Sequence, residues 1–278
     1  MQKITENVYI ETGFSGCNTG FVVTGEGVVI IDTPMIPADA KKWRREANEF
    51  GQVQYVINTE PHTDHASGNC YLGGIVVGHE GTREALLARS TEELVNMLQQ
   101  LAPDSLPLEE AFYFRPPSIT YSQQMTLYLG EHTFRLINLP GHTPFQTVVY
   151  IPEEGVAFTS DNVNLRGPIF PVNNRPYEWL ESLKKIQTLG ANILVPGHGD
   201  VCSPEDIPKM SAQIQDLTEA VADTISKGMS LEEALEKISL PVRRSADTLM
   251  NAPFAQQMQR RNVTHLYGVL KNEGKISR

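Results

Sequence analysis

Several apolar, β-branched runs in this sequence lead straight into a carboxylate or a histidine, and that repeated join constrains the fold more than any other feature. GVVII leads to Asp32, QYVIN to TEPHTDH at 59–65, FRLINLPG to His142, VAFTS to Asp161 and NILVPG to His198. Runs of this length and composition are strands. Gly, Pro, Asp or Thr around each polar residue places it in a turn. Strand ends that carry polar residues to one edge of a sheet are where α/β proteins build their sites.

Between these joins, strand and helix patterns alternate. NVYIETG, NTGFVVTG and GVVIIDT read as antiparallel strands with tight turns. PADAKKWRREANEFG has helical spacing and is expected to stop at Gly51 as C-cap. GGIVVGH is the next strand. Residues 81–117 predict a helical insert, rich in helix formers over GTREALLARSTEELVNMLQQLA and closed by the Pro-rich connector RPPSITY. Strands return with MTLYLG, HTFRLINLPGH and TVVYIPEEGVAFTSD, with IPEEG as a hairpin turn. A helix, SLKKIQTLG, and a strand, ANILVPGHG, follow. From residue 203 the pattern is helical, with Ser203 and Ser230 as N-caps. The expected division is a core over 1–202 and a helical extension over 203–278 packed on it.

The 278 residues are 40% hydrophobic and 20% charged, enough for a packed core. A formal charge of −10 without a long Lys/Arg run argues against a nucleic-acid partner and against an anionic membrane surface. No window approaches the roughly 20 apolar residues of a transmembrane helix. MQKITENVYIETG lacks the apolar segment of a signal peptide. Cys17, Cys70 and Cys202 are scattered and odd in number, as buried, reduced thiols would be. A cytoplasmic location is the expectation.

Of the seven histidines, His62, His65, His142 and His198 lie at the joins, whereas His79, His132 and His265 do not. A single histidine after a strand is ordinarily a capping or hydrogen-bonding residue. PGHT, PGHG and Asp161, each taken alone, could be only turns. The group Glu60, His62, Asp64 and His65 differs, because it concentrates charge that would be costly without a cation. Histidine and carboxylate at this density point to a metal.

In order and context, Asp32, the 60–65 cluster, His142, Asp161 and His198 resemble the metallo-β-lactamase superfamily. Its signature is H-x-H-x-D-H, then a lone His, an Asp and a final His. This chain reads E-P-H-T-D-H, LPGHT, TSD and VPGHG, and the resemblance covers about residues 4–202. KGMSLEEALEKI and NVTHLYGVL are similar to the tails of bacterial glyoxalase-II-like hydrolases in that superfamily. The resemblance implies an α/β fold, a four-layer αββα sandwich carrying the helical insert and the helical C-terminal extension. It also implies two divalent metal ions, zinc by default. Glu60, His62 and His142 would hold one, Asp64, His65 and His198 the other, and Asp161 would bridge them. Asp64 would double as the catalytic proton shuttle, and Asp32 would support the site from behind the ligands. A turn residue is the other reading of Asp32. The implied reaction is hydrolysis of a small ester-like bond (thioester, lactone or β-lactam) by a metal-bridging hydroxide.

Glu60 stands where the signature has its first histidine. Three readings are open: a ligand, a non-ligand in a one-metal site, or the remnant of a lost site. Every other ligand position is filled, which argues against the last. As a ligand, Glu60 would make the cluster less positive than a histidine would, and would turn it toward harder cations such as Mn(II) or Fe(II).

The loop NVNLRGPIFPVNNRPY after Asp161 should form one rim of the site, with Asn164 and Arg166 as candidate substrate contacts. Related lactonases carry a tyrosine at the place of Asn164, so the resemblance to them stops short of that contact. Arg166 could equally serve a surface or structural ion pair. Met97, Leu98, Phe112, Tyr113 and Phe114 in the insert could form an apolar lid or plain core. The partner expected is a small-molecule substrate. Insert and extension could serve a homodimer interface or cap the monomer. The main rival is a mononuclear iron dioxygenase of the same fold acting on a persulfide through His62, His142 and Asp161 alone. Nucleic-acid processing and a non-catalytic metal-binding role are further alternatives, the first opposed by the charge.

Overall fold

A computed structural model of the chain describes residues 1–164, 175–238 and 252–276. Its strands fall into two sheets in chain order. The first holds β1 (Gln2–Lys3), β2 (Val8–Glu11), β3 (Thr19–Thr24), β4 (Gly27–Ile31), β5 (Val53–Asn58), β6 (Ile75–His79) and β7 (Ile119–Tyr121). The second holds β8 (Gln124–Leu129), β9 (His132–Asn138), β10 (Thr147–Ile151), β11 (Val156–Asn164) and β12 (Ile193–His198). The first sheet is antiparallel from β1 to β4 and parallel from β4 to β7. The second is antiparallel except for the parallel pair β11–β12.

Alternation along each strand sorts apolar side chains to opposite faces. Val22, Val29, Ile31 and Ile57 of the first sheet meet Phe134, Leu136, Val149, Ile151 and Phe158 of the second in the central core. Their neighbours Phe21, Val28, Ile30 and Val56 face outward, against Ala40, Trp43 and Ala47 of helix α1 (Pro37–Asn48). Two short helices of the site loop follow β5, α2 (Thr63–Ala66) and α3 (Asn69–Leu72). The insert contributes α4 (Glu80–Ala88) and α5 (Thr91–Leu101). On the outer face of the second sheet, α6 (Pro176–Gln187) and α7 (Ile207–Ser226) place Trp179, Leu183, Ile186, Met210 and Ile214 against Val148, Ala157 and Leu194. The layers are therefore helix, sheet, sheet, helix, as expected. Beyond α7, α8 (Leu231–Lys237) and α9 (Ala252–Ile276) pack on its second half through Leu217, Val221, Ala234, Val263 and Leu266. Among the described residues, no helix is long and apolar enough to cross a membrane.

Three local expectations shift. α1 ends at Asn48 with Glu49 as cap, short of Gly51. Ser203 caps a single 3-10 turn over Pro204–Asp206, with Asp206 completing its capping box, so α7 starts four residues later. The connector RPPSITY ends in β7, because Ile119 and Tyr121 pair with the edge of β6. Ser230 caps α8 as read, accepting from the Glu233 N–H at 3.2 Å.

Candidate metal centre

β5 delivers the cluster. Asn58, Thr59 and Glu60 are fully buried as the strand leaves the sheet. His62 is still extended (φ −63, ψ 153) and forms the N-cap of α2, so Asp64 and His65 lie on a helical turn. The switch from extended to helical backbone separates the four side chains into two pairs. Glu60 and His62 group with His142, and Asp64 and His65 with His198, with the ligand-type atoms of each group within 4.8 Å of one another.

The two Pro-Gly-His turns have a steric reason. A Cβ on Gly141 would fall 1.9 Å from Asn162 Oδ1, and one on Gly197 would fall 1.9 Å from Asp161 Oδ1. Glycine thus lets each histidine loop close onto β11. Asn162 Oδ1 accepts the His142 N–H at 3.0 Å, and its amide donates to the Leu139 carbonyl at 2.7 Å. Trp179 packs edge-on against the His142 ring at 6.1 Å and donates from Nε1 to the Asn162 carbonyl at 3.0 Å.

Asp161 does not end its strand, contrary to the sequence reading. β11 continues to Asn164 through an irregularity at Ser160, where φ is 50. This bulge turns Asp161 into the site while the ladder to β12 resumes beyond it. Asp161 Oδ1 lies 3.4 Å from His198 Nε2 and 3.6 Å from His65 Nε2. Its Oδ2 lies 3.6 Å from His142 Nε2. The residue thus shows one oxygen to each group. His198 Nε2 is also 3.2 Å from Asp64 Oδ2, and His142 Nε2 is 3.3 Å from His62 Nδ1.

Whether these residues suit a metal can be tested on their unpaired atoms. Glu60 Oε2, His65 Nε2 and Asp161 Oδ1 are buried and have no hydrogen-bond partner. His62 Nδ1 approaches Glu60 Oε2 to 2.5 Å without the geometry of a hydrogen bond. Orphaned buried polar atoms are rare and call for a cause. Here three of them belong to ligand-type groups that face one another, which fits a cation. Electrostatics agree. Burial pushes the Glu60 carboxyl up, but His65, His62 and His142 hold it down at about 2. Burial pushes His198 down, but Asp161 and Asp64 carry it up to about 10. Carboxylates and imidazoles this close thus favour each other's charged forms.

Asp32, at the end of β4, stands behind the cluster with φ 54. Its Oδ1 accepts the Thr59 N–H at 2.8 Å, and its Oδ2 lies 2.5 Å from Thr59 Oγ1 and 2.9 Å from His65 Nδ1. The turn-residue reading is therefore incomplete, since the side chain orients a histidine. Cys17 is buried beside Asp32 and His65. Burial pushes its thiol up to about 12, so it is an inert neighbour. His79 caps α4 and His132 Nε2 pairs with Glu154, both away from the cluster. Asn164 is buried, with its backbone N–H donated to Met210 Sδ, and Arg166 lies outside the described residues. In the insert, Met97, Leu98, Phe112 and Phe114 pack with Met35 and Leu94 as core, while Tyr113 is exposed. The insert reaches the site loop through Arg89, which donates to Thr63 Oγ1 at 2.9 Å.

The residues that sequence reasoning missed are Thr59, Gln146, Ser160, Asn162 and Trp179. Thr59 and Ser160 adjoin expected ligands, and a hydroxyl next to a buried carboxylate is a usable signal. Gln146, Asn162 and Trp179 carry none.

Comparison with known proteins gives a consistent result. Residues 12–198 match the metallo-beta-lactamase superfamily. A linear primary-alkylsulfatase of Pseudomonas sp. (strain ATCC 19151) is 24% identical over 261 residues, covering 78% of this chain and 48% of the relative. A hydroxyacylglutathione hydrolase of Erythrobacter litoralis is 27% identical over 177 residues, covering 62% of this chain and 59% of the relative. The chain thus spans about half the length of these curated relatives. A metallo-beta-lactamase family protein of Thermus thermophilus superposes with a TM-score of 0.70 at 18% identity, over 98% of this chain and 95% of that one, which shows the shared fold.

Proposed function

The chain belongs to the metallo-β-lactamase superfamily, and on that premise we propose that it is a metal-dependent hydrolase of a small ester-like bond, with Glu60 among its ligands. The observation that carries the reading is the trio of buried atoms without a hydrogen bond, Glu60 Oε2, His65 Nε2 and Asp161 Oδ1, inside one group of ligand-type side chains. Glu60, His62 and His142 would hold one divalent metal, and Asp64, His65 and His198 the other, with Asp161 shared. When bound, such metals acidify a water and polarise the scissile bond, and zinc is the default for mixed N and O donors.

The chain's own residues divide the remaining work. The His62 and His198 side chains are each 26% exposed and mark the side from which substrate enters. Asp64 is 19% exposed at its side chain, against 8% for Asp161 and 0% for Glu60. It is therefore the carboxylate placed to take a proton from the attacking water and return it to the leaving group. Glu60 lies beyond reach of substrate and acts through charge. With two divalent cations, three carboxylates and four imidazoles, the cluster is less positive than one with a fifth imidazole in place of Glu60, which supports Mn(II) or Fe(II) as competitors to zinc.

The relative named hydroxyacylglutathione hydrolase puts a thioester first among substrates to try. The test is metal content per chain, purified without added metal, in wild type and Glu60→Ala, followed by a panel of thioesters, lactones, β-lactams, phosphodiesters and a linear primary alkyl sulfate. About two metals with turnover of one class supports the proposal. One iron in both proteins, with oxygen uptake on a persulfide and no hydrolysis, overturns it.

A further inference from the structure

The geometry points to Ser160 and Gln146 as positioning residues that make Glu60 behave as a one-atom ligand. They occupy its Oε1, so that Oε2 alone faces the first metal position. This rests on the reading of Glu60 as a ligand.

An imidazole offers a metal one nitrogen from a ring of fixed orientation. A carboxylate offers two oxygens and rotates, so at the same place it can chelate or swing away. Glu60 Oε1 already lies 3.6 Å from His65 Nε2, a member of the second group. Two donors hold it. Ser160 Oγ donates to Oε1 at 2.9 Å and Gln146 Nε2 donates at 3.1 Å. Oε2 is left buried with no hydrogen-bond partner. The orientation of the Gln146 amide is itself set, because Thr143 Oγ1 donates to its Oε1 at 3.2 Å and thereby turns the NH₂ toward Glu60.

Ser160 adds a second sign. It holds φ 50, a conformation that glycine adopts freely and serine does not. Glycine there could not supply the hydroxyl. Ser160 Oγ also lies 2.6 Å from Thr59 Oγ1, which is 2.5 Å from Asp32 Oδ2. Asp32 orients His65, so one line of buried oxygens ties the Glu60 clamp to the support of the second group. Asp32 is itself left-handed, at φ 54. Backbone strain at both ends of such a line persists only where the surroundings enforce it.

The experiment is titration of the metal-free protein with Zn(II) against a chromophoric chelator, with thermal melts to verify folding. Variants are Ser160→Ala, Gln146→Met and Glu60→Ala, and each of the first two combined with Glu60→Ala. Ser160→Ala and Gln146→Met are each expected to weaken one of two zinc sites by about tenfold or more, the usual effect of losing a partner behind a ligand. Neither should weaken it further once Glu60 is alanine, nor should Gln146→Met do so in Glu60→His. Unchanged zinc affinity in both single variants overturns the proposal, as does an equal loss with and without Glu60. If Ser160→Ala does not fold, Gln146→Met decides. Unchanged zinc binding in Glu60→Ala removes the ligand reading and the clamp with it. A protein that binds zinc as expected yet cleaves nothing in the panel counts against the proposed reaction and for the clamp.

Discussion

Asp32 Oδ2 lies 2.9 Å from His65 Nδ1, the ring nitrogen opposite the one that faces the cluster. The contact sets both the tautomer and the direction of Nε2, which has no hydrogen-bond partner of its own. Because Asp32 also takes the Thr59 N–H, the ends of β4 and β5 are locked together behind the site. Asp32→Asn keeps the shape but loses the anionic acceptor. Its zinc affinity should fall by about 10–100-fold, as for other partners behind metal ligands. Competition titration measures it, and a change under twofold would remove Asp32 from the site.

Two glycines should respond oppositely to the same substitution. Gly197→Ala forces a methyl to within 1.9 Å of Asp161 Oδ1, so Asp161 or the His198 turn must move. Loss of most zinc binding is expected, together with lower thermal stability. Gly268 is exposed within α9 and a Cβ there meets nothing within 4 Å. Gly268→Ala should stabilise by about 0.5–1 kcal/mol through helix propensity. Urea denaturation of both variants checks the contrast.

Acid sensitivity has an identifiable source in the turn between β10 and β11, at the end of β11 away from the site. Glu154 accepts from Asn7 Nδ2 at 2.8 Å and from Thr5 Oγ1, and pairs with His132 Nε2 at 2.8 Å. Burial alone would raise its carboxyl, but these contacts hold it below the ordinary value. A depressed folded value means stabilisation that is present above the unfolded pKa of about 4.3 and lost as pH falls through the folded one. Glu154→Gln should therefore be less stable than wild type at pH 7, with the gap closing below about pH 4. Equilibrium unfolding from pH 3 to 7 tests this. A gap independent of pH would rule out the carboxylate's charge as the cause.

Cation binding should couple to folding, since the cluster gathers buried Glu60 and Asp161 and half-buried Asp64 among its ligand-type groups. Zinc at about 1,000 times its Kd should stabilise the metal-free protein by about 4 kcal/mol. The melting temperature should rise with zinc and return on chelation. A melting curve indifferent to zinc, manganese and iron would contradict a metal role for the cluster.

Much of this was legible in the sequence because it is local. A β-branched run names a strand, and the residue after it names a strand end, so Glu60, His62, Asp64, His65, His142 and His198 could be placed at strand ends; the single sheet edge expected for them is in fact two, β5 in the first sheet and β9 and β12 in the second. PGHT and PGHG carried their glycines for a reason that only packing reveals, the approach of Asn162 and Asp161 to 1.9 Å of where a Cβ would stand. Asp161 itself was read as a strand end but lies within β11, because the bulge at Ser160 has no signature in composition. The partners of Glu60 were beyond sequence reasoning altogether. Gln146 and Ser160 are 86 and 100 residues away, and both sit on the other sheet's side of the site. Sequence by itself determined which side chains could hold a metal, since ligand chemistry belongs to the residue. Only the tertiary structure decided which of their atoms are held and which left unpaired, since that depends on two sheets packing face to face and bringing distant hydroxyls and amides to a buried carboxylate.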